Sequence, residues 1–343
     1  MSQISWDQAV RVAERFAGSY PLEGTYHESR FARTAPDLVA RASVLVEAET
    51  RLHAPGSPEV SVVSRQDWVR HNVASFAALL KPAQERLSQQ KGIGATVAQR
   101  VVGAELGVVL GLMSRRVLGQ YELVLPGPDG SFGDTVLFVG ANVLSMERKF
   151  ELRPDEFRFW VALHECTHRL QFVGVPWMRQ YFFELVEQLV ASSTPEPGRL
   201  SRVAGELREI SASGEPLIGE SGLFGLFATP GQREIIDRVQ ALMSLLEGHG
   251  HVVMDRIGER ELVSQQRMSS ILKARRQDPR TAMLMRIIGI EMKLKQYEMG
   301  ARFIAGVERH ADWETVDRAW VSPEHLPTLN EIENPVLWLE RVA

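Results

Sequence analysis

Residues 160–172, with the sequence W-V-A-L-H-E-C-T-H-R-L-Q-F, constrain the fold of this chain more than any other segment. Pro154 before the segment is typical of the first residue of a helix, and Gly174 after it is typical of a helix end. Apolar residues surround the polar ones, which predicts a buried helix. Residues i and i+4 of a helix lie on one face, so the side chains of His164 and His168 should point in the same direction.

The order His164, Glu165, x, x, His168 favours a metal centre over a helix whose polar residues face solvent. An unpaired polar group in a buried helix would be costly, and a bound ion removes that cost. Zinc binds neutral imidazole nitrogens at about 2.0–2.1 Å and keeps one position for water in catalytic sites. Glu165 lies about 100° around the helix from His164, so it can reach that water without being a ligand. The pattern is typical of metal-assisted hydrolysis with Glu165 as the general base.

The third ligand of the predicted zinc ion must come from another part of the chain. The extended pattern H-E-x-x-H-x-x-G-x-x-H supplies a third histidine, but here Gln171 stands at the position of its glycine and Gly174 at that of its histidine. The preferred candidate is Glu247, in the segment S-L-L-E-G-H-G-H-V-V-M-D, and the alternatives are His251 and His249. A carboxylate and an imidazole are both ligands that zinc accepts.

The same segment predicts how the helix of the third ligand meets the motif helix. Glu247, His251 and Asp255 recur every four residues and should share one stripe. Asp255 would then accept the N–H of a metal-bound histidine. Gly248 and Gly250 cost the helix about 1 kcal/mol each relative to alanine, and we expect them to allow a close approach to the motif helix.

Composition excludes several classes of function. The chain has 343 residues, 44% of them hydrophobic, and a net charge of -4, so we expect no nucleic-acid partner. The most apolar long segment, residues 101–113, is too short to span a bilayer, so we expect no stable membrane insertion. Cys166 is the only cysteine, so it forms no intrachain disulfide and should pack as a small apolar residue. The N-terminus does not have the pattern of a signal peptide, and we predict a cytoplasmic protein.

The pattern along the chain predicts an α+β protein that is predominantly α-helical, with one small sheet. We expect an N-terminal helical region over residues 1–120 and a metal-binding region over residues 121–343. The two regions should join in one continuous compact unit, since no linker of low complexity separates them.

Individual elements follow from apolar spacing and from turn-forming residues. Gly103, Gly107 and Gly111 should form one helical face that another element approaches closely. A further helix should have Thr229 as its N-cap and Pro230 as its first residue. Strands are predicted at residues 121–125 and 135–139, and helices at residues 7–17, 36–51, 64–87, 154–173, 181–191 and 279–310.

Four segments resemble a bacterial zincin-like family of hydrolases: V-A-L-H-E-C-T-H-R-L-Q-F, S-L-L-E-G-H-G-H-V-V-M-D, G-I-E-M-K-L-K-Q-Y-E-M-G-A-R-F and L-P-T-L-N-E-I-E-N-P-V-L-W-L-E-R-V. Some members of that family are labelled as associated with the biosynthesis of a deazaflavin cofactor. The resemblance extends from Trp68 to the C-terminus. It implies a mainly helical α+β fold with a zincin-like core and a small sheet packed beside the motif helix. It also implies that His164 and His168 are ligands and that Glu165 is the base.

Together these features predict a zinc-dependent metallohydrolase, and in particular a peptidase, that acts on a peptide or amide-type substrate. The two motif histidines and Glu247 would hold Zn2+, and Glu165 would activate the water. A tetrahedral intermediate also needs a hydrogen-bond donor for its oxyanion. The candidates are Tyr297 and His251, followed by Lys293 and Arg302. The alternative for Tyr297 is packing at a helix edge with its hydroxyl in water.

Two further alternatives remain open from the sequence. In zincin-type peptidases an edge strand beside the motif helix binds substrate by main-chain pairing. Residues 135–144, T-V-L-F-V-G-A-N-V-L, are a candidate for that strand, and the alternative is an ordinary core strand. The alternative function is a non-catalytic metal-binding or partner-binding module on a zincin scaffold, in which Glu165 would have no use as a base.

Overall fold

A computed structural model describes residues 4–87, 93–125, 133–192, 230–277 and 291–343 of the chain. In these ranges the protein is predominantly α-helical with one small sheet, which confirms the predicted fold class. The α-helices are α1 Trp6–Ala17, α2 Tyr26–Thr50, α3 Arg65–Leu87, α4 Ile93–Ser114, α5 Gly140–Phe150, α6 Pro154–Val173, α7 Met178–Ser192, α8 Pro230–Glu261, α9 Gln265–Gln277, α10 Glu291–His310, α11 Leu329–Glu333 and α12 Pro335–Val342. The strands are β1 Glu59–Val63, β2 Gly119–Glu122 and β3 Thr135–Val139, and two 3-10 helices span Glu314–Trp320 and Pro323–His325.

Helix α2 begins ten residues before the start predicted from the sequence, and Pro36 lies inside it. Proline removes one backbone hydrogen bond from a helix interior and is usually found at its start. Phe31 and Ala35 are buried on the same face as Val39, so the apolar face extends through the proline. Burial of that continuous face therefore stabilises the helix across Pro36.

The sheet has the order β1-β3-β2, with β1 parallel and β2 antiparallel to β3. The sequence predicted β3 with its observed bounds. The strand predicted at residues 121–125 overlaps β2 only at its end, and β1 was not predicted. Because β3 pairs with both neighbours, it is the central strand, and the edge-strand interpretation of residues 135–144 is wrong. Residues 140–144 of that segment belong to α5 instead. Strand β2 is an edge of the sheet within the described ranges, and it packs against α6.

The glycine-rich face of α4 meets α1, as the spacing of the glycines predicted. A Cβ atom on Gly107 would lie 2.6 Å from the carbonyl oxygen of Ala9, and one on Gly111 would lie 2.5 Å from that of Ala13. Ala9 and Ala13 are fully buried in this contact. Small residues on both helices therefore bring their backbones together.

A larger core surrounds α6, which packs against α2, α8 and β2. Buried aromatic and aliphatic side chains from all four elements contribute to it, with Trp160 of α6 among the largest. The division into residues 1–120 and 121–343 stays a prediction. Thr229 and the beginning of the helix predicted at residues 279–310 lie outside the described ranges.

Helices α8 and α10 make a backbone contact through glycines. A Cβ atom on Gly248 would overlap the backbone of Gly300, and one on Gly300 would overlap the carbonyl oxygen of Ser244. The expectation that Gly248 faces the motif helix is therefore wrong, because it faces α10. The contact lies next to Glu247 along α8 and so fixes the position of that turn.

We predict that replacing Gly300 with alanine destabilises the protein, because the methyl group overlaps Ser244 and forces α10 away from α8. The expected loss in the free energy of unfolding is about 1–3 kcal/mol, measured by urea denaturation. The matched control is Gly231→Ala in the first turn of α8, where the methyl group meets open space. Equal stability of Gly300→Ala and the parent would contradict the close contact.

Candidate metal centre

Helix α6 places the two motif histidines on one face, as the i, i+4 spacing predicted. Pro154 occupies its first turn together with Asp155 and Glu156, whose negative charges suit the positive end of the helix dipole. The Nε2 atoms of His164 and His168 lie 3.1 Å apart. The ring planes are inclined by 80°, with centroids 4.5 Å apart. Both Nε2 atoms therefore point toward a common position.

Helix α8 brings a carboxylate to the same position. Oε2 of Glu247 lies 3.7 Å from Nε2 of His164 and 3.7 Å from Nε2 of His168. The three potential ligand atoms lie within 4.8 Å of one another. Glu247 is only 5% exposed, so its charge is largely removed from water. Among the described residues, this is the cluster of histidine, cysteine and carboxylate groups that could hold a metal ion.

The residues of this cluster fit a zinc ion. Two imidazole nitrogens and one carboxylate oxygen are a donor set that zinc uses in catalytic sites, where a fourth position is kept for water. A buried carboxylate between two imidazoles also needs a compensating positive charge, which a divalent ion supplies. Both the donor types and their convergence therefore suit the ion that the sequence predicts.

The negative charge of Glu247 acts on the pKa of His168. Burial alone would lower the pKa of His168, since desolvation disfavours the charged imidazolium. The nearby negative charge of Glu247, together with the charge of Glu165 and the hydrogen bond to Gln171, raises its pKa overall. The site therefore has an excess of negative potential that attracts a cation.

Glu165 follows His164 on α6 and lies against the edge strand β2. It is 5% exposed. A Cβ atom on Gly119 of β2 would lie 2.6 Å from Oε1 of Glu165 and 2.7 Å from its Cγ. The absence of a side chain at Gly119 thus makes room for this carboxylate, a feature that the sequence analysis missed. Gly119 lies two residues before the strand predicted at residues 121–125, so no sequence pattern pointed to this role.

Gly250 of α8 lies against the imidazole rings, as predicted. A Cβ atom there would lie 3.2 Å from Nδ1 of His164 and 3.5 Å from Cε1 of His168. Any larger side chain would press on both rings. Gly250 therefore allows α8 to approach α6 at the level of the metal centre.

His251 is not part of the ligand cluster within the described ranges. It lies one turn beyond Glu247 on α8, and its Nε2 atom is 3.4 Å from Oδ2 of Asp255. Asp255 also accepts a hydrogen bond of 3.0 Å from Gln265 Nε2. Asp255 is thus placed beside His251, and the expectation that it orients a metal-binding histidine does not hold for His168. The group at Nδ1 of His168 is Gln171, whose Oε1 atom is 2.9 Å away.

His249 is a core residue in the structure and also lies outside the ligand cluster. Its ring stacks on Trp313 with centroids 5.5 Å apart and an interplanar angle of 6°. Burial, with smaller contributions from the charges of His168 and Arg51, lowers the pKa of His249 to about 3. It is therefore a neutral ring, and its Nδ1 atom lies 2.9 Å from Nε2 of Gln171.

The sequence also predicted roles for Tyr297 and Cys166. Tyr297 belongs to α10, but its side chain lies outside what the structure describes. Cys166 is buried and contacts Ser43 Oγ at 3.5 Å, and burial raises the pKa of its thiol to about 12. Its thiol is protonated and inert, which fits the packing role expected for it.

A motif helix with H-E-x-x-H, a facing helix with a carboxylate and a small sheet beside them define the class of zincin-like proteins. The chain belongs to a family described as zincin-like metallopeptidases, whose profile matches residues 4–339. It is also similar to a solved structure described as a "putative hydrolase with a novel fold from Chloroflexus aurantiacus". That similarity has 30% sequence identity, covers 98% of each chain and has a TM-score of 0.73.

These comparisons confirm the resemblance to a zincin-like family and support a hydrolase. No curated protein matches the chain. In the described ranges, no helix has the length and apolar character needed to cross a bilayer.

Proposed function

We propose that the protein is a zinc-dependent hydrolase that cleaves a peptide or a related amide. The observation that carries the proposal is the convergence of His164, His168 and Glu247 beside the buried carboxylate of Glu165. Membership of the zincin-like metallopeptidase family supports the same chemistry. The three converging side chains would be the ligands of the ion.

The proposed roles of the ion and of Glu165 in hydrolysis follow from their positions in the site. A bound zinc ion would supply Lewis acidity to a water molecule and to the substrate carbonyl. Glu165 then accepts the proton of the attacking water and delivers it to the leaving nitrogen. Burial of Glu165 beside Gly119 limits the rotamers that its carboxylate can adopt, which favours a fixed geometry for that transfer.

His251 is the proposed donor to the oxyanion of the intermediate. It lies one turn from Glu247 on the same helix, so it can reach the region of the ligands. Asp255 lies 3.4 Å from its Nε2 atom and would hold the ring in position. A positioned imidazole N–H can donate a hydrogen bond to a developing negative charge. Tyr297 stays a second candidate for this role.

Strand β2, rather than β3, is the proposed edge for substrate pairing. It is antiparallel to β3 and leaves its other edge without a strand partner in the described ranges. Gly119 and Gln120 at its first end are partly exposed, and Gly119 lies next to Glu165. An extended peptide that adds to this end of β2 would bring a backbone amide to the base.

The alternative of a non-catalytic module has less support. A binding module needs ligands for its ion, but it needs neither a general base nor space for the side chain of such a base. Gly119 leaves room for the Glu165 carboxylate at a position where any other residue would displace it. The arrangement around Glu165 therefore favours turnover.

We expect Glu165→Gln to bind zinc as the parent does and to lose hydrolysis by about 10²–10⁴-fold, since the amide cannot accept the proton. Hydrolysis would be measured on a panel of peptides and aryl amides, with activity lost to a chelator and restored by zinc. The matched control is Glu259→Gln at an exposed position of α8. A Glu165→Gln variant as fast as the parent would remove the proposed base.

The identity of the third ligand can be tested by metal analysis of dialysed protein. We expect Glu247→Ala to lose stoichiometric zinc, because only two imidazoles remain to hold the ion. His251→Ala should retain one zinc ion per chain. The reverse result, with zinc kept by Glu247→Ala and lost by His251→Ala, would assign the third ligand to His251.

Gly119→Ala separates positioning of the base from metal binding. The methyl group would displace the Glu165 carboxylate without touching the three ligands, so zinc content should be unchanged. A shift of the order of 1 Å should slow hydrolysis by about 10²-fold. The matched control is Gly231→Ala in the first turn of α8, where a Cβ atom meets open space. Full activity of Gly119→Ala would show that Glu165 does not need this space.

A further inference from the structure

A single buried amide connects the helix of His168 with the helix of Glu247. Gln171 of α6 is fully buried, and its Oε1 atom lies 2.9 Å from Nδ1 of His168. Its Nε2 atom donates a hydrogen bond of 3.0 Å to the carbonyl oxygen of Leu246. The same Nε2 atom lies 2.9 Å from Nδ1 of His249. Leu246 and His249 lie on either side of Glu247 in α8. The amide therefore spans the two helices at the level of the metal centre.

The orientation of this amide is fixed by its partners. A backbone carbonyl can only accept a hydrogen bond, so the NH2 group of Gln171 must face Leu246. The flipped amide would place two acceptors, Oε1 and the Leu246 oxygen, against each other in a buried position. Oε1 therefore faces His168, and it can only accept from that ring.

The orientation of the amide determines which nitrogen of His168 carries the proton. Its Nδ1 atom must be the donor to Gln171, which leaves the lone pair of Nε2 for an ion. That Nε2 atom is the one that lies 3.7 Å from Glu247. The ring is thus held in the tautomer and the rotation that a ligand requires.

We propose that Gln171 is a positioning residue of the metal centre, whose amide holds His168 in its ligand tautomer and sets the register of α8 against α6. The proposal rests on the proposed function, in which His168 and Glu247 bind zinc. It assigns to Gln171 a role that the carboxylate or carbonyl partner of a metal-bound histidine usually has. Gln171 occupies the position at which the extended H-E-x-x-H pattern has a glycine, so the role depends on a residue specific to this variant of the motif.

Two substitutions of Gln171 distinguish a positioning role of its amide from a packing role of its side chain. Methionine has nearly the volume of glutamine and no hydrogen-bonding amide, so Gln171→Met preserves packing and removes positioning. Glutamate keeps an acceptor for Nδ1 of His168 but places a charge against the Leu246 carbonyl. A packing role therefore predicts that Gln171→Met is the less damaging change. A positioning role predicts the opposite order for zinc affinity.

The experiment measures zinc affinity by competition with a chromophoric chelator, and stability of the metal-free proteins by urea denaturation. We expect Gln171→Met to weaken zinc binding by about 10–100-fold, the range found when partners of metal ligands are removed. Gln171→Glu should bind zinc more tightly than Gln171→Met although its metal-free form is less stable. The exposed Gln180→Met on α7 is the control and should bind zinc as the parent does.

The outcomes distinguish this inference from the proposed function. If the parent binds zinc stoichiometrically and Gln171→Met binds it equally well, the positioning role is wrong and the metal site stands. If the parent does not bind zinc, the proposed function itself fails.

A measurement on the parent alone covers the case in which Gln171→Met does not fold. In the zinc-loaded protein, the Nδ1 proton of His168 should exchange slowly with solvent and be visible by nitrogen-15 NMR. Rapid exchange of that proton would overturn the proposal, because a proton donated to a fully buried amide oxygen is protected.

Discussion

The close approach of α8 to α6 is the constraint on which the site depends. Helices with ordinary side chains at their contact pack 8–10 Å apart. Here Gly250 lies against the imidazole rings and Gly258 against Trp160, so no Cβ atom separates α8 from the motif helix at these points. Only this approach lets the carboxylate of Glu247 reach both Nε2 atoms. The Gly248–Gly300 contact with α10 holds the same turn of α8 from its other side.

The motif helix is fixed on two faces by polar side chains from its last turns. Gln171 reaches α8, and the neighbouring Arg169 reaches the sheet. Arg169 is almost fully buried and donates to Asp134, which precedes β3, and to the carbonyl oxygens of Pro55 and Gly56. A buried charge requires such complete pairing, and breaking one partner is strongly destabilising. These contacts fix the rotation of α6 about its axis, which determines where His164 and His168 point.

The relationship to known proteins concerns the entire architecture and not only the motif. The similarity to the Chloroflexus aurantiacus structure covers 98% of both chains, so it includes the N-terminal helices α1 to α4 as well as the core around α6. A shared fold does not by itself define a reaction. Hydrolysis is therefore proposed from the site, where three potential ligands meet the buried carboxylate of Glu165.

The sequence by itself determined what depends on neighbours along the chain. The spacing of His164 and His168 is local, and any helix over that segment places them on one face. The same reasoning predicted the motif helix, the glycine face of α4, strand β3 and the last two residues of β2. Tertiary structure decided what depends on residues that are distant in sequence. One example is that β1 joins the sheet, so that β3 is its central strand. Another is that burial of a continuous apolar face keeps α2 helical on both sides of Pro36. Tertiary structure also decided that Gln171, and not Asp255, lies against His168, because the partner of a buried polar group is selected by the packing of two helices and not by spacing within either one.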